Sequence, residues 1–88
     1  YAGDDVVERL IPLPFTPSAV LLMRVDGFMG TGSGPYGGLS ITDFPVRKDN
    51  RGIGISTVDI VENGFKVHTG GQRFTNSTNC YYHYLAFK

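Results

Sequence analysis

The residues of this chain that could do chemistry are few and scattered. Its two histidines, His68 and His83, have 14 residues between them, and Cys80 is the single cysteine. Zinc sites draw three or four Cys, His or carboxylate ligands from short, repeated spacings. No such spacing exists here, so no metal and no cofactor are expected, and each histidine reads as a satisfied strand residue. The carboxylates are Asp4, Asp5, Glu8, Asp26, Asp43, Asp49, Asp59 and Glu62. Glycoside hydrolysis needs two of them facing each other across a cleft, and 88 residues leave little room for one. No nucleophile elbow is present. Gly32-Ser-Gly-Pro-Tyr-Gly37 has the letters of a dinucleotide loop. That loop works only when a helix N-terminus follows it to receive the pyrophosphate, and Leu39-Ser40-Ile41 has no helical pattern. No catalytic residue is assigned, and the chain is expected not to be an enzyme. Asn76-Ser77-Thr78 is a glycosylation sequon, meaningful only in a eukaryotic secretory path.

Binding chemistry is better represented. Residues 27–38 (GFMGTGSGPYGG) hold half of the 12 glycines. They show no side-chain period and read as a long loop carrying Phe28, Met29 and Tyr36. An exposed tyrosine among glycines offers contact area at low entropic cost. Residues 45–52 (PVRKDNRG) read as a second loop, where Arg47, Asn50 and Arg51 could hydrogen-bond a polar ligand through planar guanidinium and amide groups. These six residues are the ligand-binding candidates.

Lys plus Arg and Asp plus Glu are 8 each, so the formal charge is zero. A basic excess, which nucleic acids and anionic lipids select, is absent. No apolar run approaches the roughly 18 residues of a membrane span. Neither nucleic-acid binding nor membrane insertion is expected.

The elements that must hold these loops are strands. Val7, Arg9, Ile11, Leu13 and Phe15 share one parity, the period of a strand. Pro12 and Pro14 on the other parity make it an edge strand or one that ends early. The lead-in, residues 1–5, reads as a polar turn. Residues 19–25 (AVLLMRV) are apolar on both parities until Arg24 and read as a central strand. Residues 39–44 alternate weakly, and residues 53–61 are β-branched. Glu62-Asn63-Gly64 is a hairpin turn, since Asn and Gly both tolerate positive φ. Residues 65–68 return, 69–79 read as a polar loop, and 81–87 (YYHYLAF) form a last, aromatic strand. Tyr82, Tyr84 and Ala86 share one of its faces; Tyr81, His83, Leu85 and Phe87 share the other. Apolar character on both faces suggests a core on one side and a subunit contact on the other. Tyr82, His83, Tyr84 and Phe87 are therefore the oligomer-interface candidates. The fold expected is all-β: a small antiparallel β-sandwich or jelly roll of about six or seven strands, with a long Gly-rich loop. One cysteine cannot staple it, and a disulfide-free domain this small often leans on partner subunits.

With these residues in view, the chain resembles bacteriophage tail fibre and receptor-binding domains. Ile11, Leu13, Phe15, Pro17 and Val20 are similar to the opening of such domains. Asn63, Gly64, Phe65 and Val67, followed by Asn76, Tyr82, Tyr84, Ala86 and Phe87, are similar to their close. Pro14 stands where the family often has glycine, and residues 27–50 are unmatched. The resemblance implies a β-structured, usually trimeric domain of a virion fibre or spike, located extracellularly. A start at Tyr1 without a signal-type core adds the expectation of an excised or processed C-terminal piece of a longer fibre protein. The function implied is host-surface attachment, with a bacterial surface glycan or other host receptor held by the loops. Two alternatives are a non-binding trimerisation, capping or connector domain, and an accessory module of a polysaccharide-degrading tailspike.

Overall fold

A computed structural model describes residues 1–28, 30–31, 34–47, 56–71 and 73–88. Among them the chain is all-β, with ten strands. In chain order these are β1 (Glu8–Pro12), β2 (Ala19–Arg24), β3 (Gly30–Thr31), β4 (Gly34–Pro35), β5 (Gly38–Ile41), β6 (Val46–Arg47), β7 (Ser56–Val61), β8 (Gly64–Gly70), β9 (Arg73–Phe74) and β10 (Tyr82–Phe87). One sheet runs β1-β8-β7-β6 with β9 paired to β8, a second runs β10-β2-β5, and β3 pairs with β4. Every pairing is antiparallel.

Strand alternation builds the core. In β2, Val20 and Leu22 are fully buried while Leu21 and Met23, which alternate with them, are only half so. They meet Ile11, Val58, Phe65 and Val67 from the larger sheet and Tyr82 from β10 in one cluster. Phe65 and Tyr84 touch edge to face across the layers, with centroids 4.9 Å apart. The Ser40 hydroxyl donates to the Val58 carbonyl at 3.2 Å and ties the same layers together. The two sheets therefore form a small sandwich.

The expected central strand is central, with β10 and β5 on its two sides. The proline-bearing strand is an edge and ends at Pro12 rather than Phe15. Asn63 takes φ 57° in the β7–β8 turn, but Gly64 does not adopt positive φ. Glycine is needed there for another reason: a Cβ would stand 2.4 Å from the Ile11 carbonyl oxygen of the paired strand.

Several expectations are corrected. The Gly-rich loop contains the β3–β4 ladder, with Gly30 opposite Pro35. Residues 45–47 are not all loop, because Val46 and Arg47 pair with β7 across a bulge. The predicted 53–61 strand is seen from Ser56, its first residues lying outside those described. Residues 69–79 are not a simple polar loop either. Arg73–Phe74 forms a strand, and Thr75 and Asn76 are fully buried. Polar side chains go inside when their hydrogen bonds are met there. The Thr75 hydroxyl donates to the Thr57 carbonyl at 2.7 Å and accepts from the His68 N–H at 2.9 Å.

The lead-in is woven into the fold. Tyr1 stacks on Tyr82 with centroids 5.0 Å apart, and its hydroxyl donates to the Thr75 carbonyl. Gly3 N–H donates to the Cys80 carbonyl at 2.9 Å, and Asp5 N–H to the Asn76 carbonyl at 2.9 Å. Tyr82, only 2% exposed, donates to the Phe74 carbonyl at 2.6 Å and accepts from Ser77 N–H at 3.1 Å. A buried tyrosine keeps its hydroxyl only with such partners.

Candidate binding site

Arg24 ends β2 on the same parity as the buried Val20 and Leu22. Its side chain therefore leans toward the open end of the sandwich rather than onto the outer face. Two residues on, Asp26 receives it through both oxygens: Arg24 Nε donates to Oδ1 at 2.8 Å and Nη2 to Oδ2. Asp26 Oδ1 also accepts the Phe28 N–H at 3.0 Å, which turns the loop back over the arginine. The guanidinium carbon then lies 4.6 Å from the Phe28 ring centroid and 5.1 Å from that of Tyr36. Phe28 meets Tyr36 edge to face at 5.1 Å, and Tyr36 stacks on Phe74 at 4.7 Å with the rings 12° from parallel. Three rings and one ion-paired guanidinium thus make a continuous group. Arg24 and Asp26 also line an adjoining cleft of about 280 Å³, with Val25, Asn79, Cys80 and Tyr81.

The bidentate contact fixes the charges. The hydrogen bond from Arg24, followed by that from the Phe28 N–H, lowers the Asp26 carboxyl from 3.8 to about 2. Asp26 in turn holds Arg24 charged, well above its ordinary range. A depressed carboxyl contributes its stabilisation above its unfolded value and loses it as pH falls through the folded one. The loop geometry is therefore expected to persist to about pH 3 and to relax toward pH 2. A carboxyl-carbon NMR titration checks this: the Asp26 midpoint lies near 2 in the native chain and returns toward 3.8 in Arg24→Gln. A native midpoint near 3.8 contradicts the geometry.

Of the six ligand-binding candidates, the structure brings Phe28 and Tyr36 together. Phe28 is 39% exposed. Tyr36, expected to be exposed, is half-buried because Phe74 and Arg24 cover it, so it supports the exposed ring rather than offering its own surface. Arg47 is half-buried on β6, in the other sheet. Met29, Asn50 and Arg51 lie outside the described residues. Arg24, Asp26 and Phe74 were not among the candidates. Arg24-Val25-Asp26-Gly27 did carry a signal, since aspartate before glycine favours a turn and can hold a cation two residues back. Gly27 adopts φ 82° there, and its N–H donates to the Arg24 carbonyl at 2.8 Å. Phe74 had no comparable signal.

The interface candidates divide by strand parity. Tyr82 is buried in the core and is corrected to a framework residue, while the half-buried Tyr84 packs on Phe65 and also lines a shallow groove with His83 and Leu85. His83 and Phe87 face outward. Cys80 is half-buried with a free thiol. The sequon asparagine, Asn76, is fully buried and hydrogen-bonded, so its amide is not accessible to glycosylation in the folded chain.

One cluster joins serine, histidine and aspartate. His68 Nε2 lies 2.8 Å from Asp59 Oδ2, which also accepts the Ser56 hydroxyl at 2.9 Å. Arg73 Nη1 stands 3.4 Å from His68 Nδ1. Arginine can only donate, so Nδ1 carries the lone pair and Nε2–H points at Asp59. A catalytic triad requires the serine to meet the histidine. Here both meet the same carboxylate oxygen, and His68 is only 3% exposed. The cluster binds β7, β8 and β9 together. No group of three or more metal-ligating side chains occurs among the described residues.

No family model, curated protein sequence or solved structure matches the chain.

Proposed function

We propose that this chain is a domain of a bacteriophage tail fibre or spike that attaches the virion to its host by binding a surface glycan. It acts as a homotrimer, without catalysis of its own. The observation that carries this reading is the exposed Phe28 ring packed on Arg24, whose ion pair with Asp26 lines an adjoining cleft. Glycan sites pair an apolar ring with a few fixed hydrogen-bonding groups. Here Tyr81 in the cleft and Phe28 beside it on Arg24 supply the rings, while Arg24, Asp26 and Asn79 supply donors and acceptors. Preorganisation limits the entropy lost on binding. The resemblance to phage fibre domains supports the same reading through framework positions. Ile11, Pro17, Val20, Gly64, Phe65, Val67, Asn76 and Tyr82 all carry the resemblance and are all buried. A single such site binds weakly, and three copies on one fibre raise the effective concentration.

The test is binding of the chain to a panel of purified bacterial capsules and lipopolysaccharide O-chains. Saturable binding to at least one is expected. Phe28→Ala and Tyr81→Ala, both at exposed rings, are expected to weaken it about tenfold or more, a loss of about 1.4 kcal/mol or more. Binding unchanged in both variants removes this site. Failure of the whole panel to bind favours the connector alternative.

A further inference from the structure

The cleft beside Arg24 carries both signs of charge in equal amount. Among the described residues, Arg24 and Asp26 are the charged side chains that line it. They are already bound to each other by two hydrogen bonds. The Phe28 and Tyr36 rings lie over the guanidinium at 4.6 and 5.1 Å, so it cannot swing away from Asp26 without breaking those contacts.

The hydrogen-bonding capacity that remains can be counted. An ionised carboxylate has about four acceptor sites, two on each oxygen. Asp26 Oδ1 accepts from Arg24 Nε at 2.8 Å and from the Phe28 N–H at 3.0 Å, and is filled. Oδ2 accepts from Arg24 Nη2 and keeps one site. The Asp26 side chain is more than half exposed, so that site is open to a ligand. Arg24 Nη1 is not used by Asp26. Asn79, an exposed residue held at φ 68°, adds an amide that both donates and accepts. The exposed Tyr81 ring completes the wall.

This set matches hydroxyl groups. A hydroxyl donates and accepts at once, so neighbouring hydroxyls of one sugar ring can give to Asp26 Oδ2 and take from Arg24 and Asn79. A carboxylate is served badly. It can only accept, and beside Arg24 it meets the charge of Asp26 at a similar distance, so attraction and repulsion largely cancel. Its loss of water is then left uncompensated. The chain as a whole, with zero formal charge, adds no net field to draw in an acidic polymer. Arg24 holds the Asp26 carboxyl at about 2, so the two charges stay balanced throughout the neutral range.

We propose that this cleft takes an uncharged sugar and rejects uronic and sialic acids, with Asp26 as the residue that sets the choice. The inference rests on the glycan reading above and specifies the class of glycan. Asp26 acts in two ways: Oδ2 accepts a sugar hydroxyl, and its charge cancels that of Arg24.

The experiment measures binding of the chain to neutral O-chains, to uronate-bearing capsules, and to the same capsules after chemical reduction of their carboxyl groups to hydroxymethyl groups. Every tight ligand is expected to be uncharged, with each acidic capsule at least about tenfold weaker than the best neutral one, a gap of about 1.4 kcal/mol. That affinity is expected to hold when salt is raised from about 0.1 M to about 1 M, where charge attraction is screened. Asp26→Asn keeps the size of the side chain and an oxygen for the Phe28 N–H, and leaves Arg24 with an uncompensated charge. It is expected to bind acidic capsules at least about tenfold more tightly than the native chain does, and this gain is expected to vanish at high salt. Near-ultraviolet circular dichroism checks that the variant is folded; if it is not, the native chain decides by the first comparison alone. An acidic capsule that binds the native chain as tightly as the best uncharged ligand overturns the inference and leaves the glycan reading standing. So does a folded Asp26→Asn chain that keeps the native order of preference. Binding to none of the three sets removes both.

Discussion

Phe65→Ala is expected to destabilise the chain by about 3–5 kcal/mol. Phe65 has no exposed surface and sits at the centre of the one core cluster. It lies on β8, which pairs with β1 on one side and β7 on the other, opposite Ile11 and Ile60. Its ring also meets Tyr84 of the second sheet. Removing it opens a cavity at the junction of both layers, and β-sheets held on several sides relax little to fill one. Domains of this kind have a total stability of about 5–15 kcal/mol, so the variant stands near its unfolding threshold. Urea denaturation checks the value: the midpoint falls sharply while the slope stays constant. Phe65→Leu keeps most of the volume and is expected to lose about 1.5 kcal/mol or less. A loss below that for Phe65→Ala would show that the sheets close over the gap.

Asn76→Ala is expected to cost about 2–3 kcal/mol, although the residue is polar and stands in a segment without regular pattern. Its side-chain Nδ2 donates to Asp4 Oδ1 at 2.6 Å and to the Val6 carbonyl at 3.0 Å, and its Oδ1 accepts from Arg9 Nη1 at 3.2 Å. The residue is fully buried, but Asp4 and Val6 are exposed and Arg9 is half-buried, so the cost comes from the lost hydrogen bonds and the vacated volume rather than from partners stranded away from water. It pins the lead-in segment and β1 to the rest of the molecule. Asn76→Asp separates hydrogen bonding from volume. It replaces the donating Nδ2 with a second oxygen facing the Asp4 carboxylate and the Val6 carbonyl. The two carboxyl groups then raise each other's pKa in the folded state. A raised folded value means stability is kept at low pH and lost as pH rises through it. Asn76→Asp is expected to be more stable in acid than at neutral pH, the reverse of a native chain whose Asp4 and Asp26 carboxyls are lowered. Thermal melts of both chains across the acid range check the sign. Parallel profiles would remove the Asn76–Asp4 contact.

The candidate site illustrates why only part of it was legible. Phe28 and Tyr36 stood out because large rings in a glycine-rich stretch have no core of their own to enter. Their support did not, because Phe74 is 38 positions beyond Tyr36 and reaches it only after β8 and β9 have folded. Arg47 misled for the opposite reason. A cluster of charged residues reads as a solvated loop, yet Val46 and Arg47 are taken up as an edge strand by β7.

What the amino-acid sequence determined by itself is local and periodic. Alternation placed Val20 and Leu22 opposite to Leu21 and Met23, and Tyr82 and Tyr84 opposite to His83 and Phe87. Side chains of a strand have no other choice than two faces. Asn63-Gly64 determined a reversal, since few residues reach positive φ or allow a neighbouring carbonyl so close. The tertiary structure alone decided which face became the core. It also decided that the polar Thr75 and Asn76 go inside and that the lead-in closes against β10. Those outcomes depend on hydrogen-bond partners and apolar surfaces from distant parts of the chain, and only folding brings them within reach.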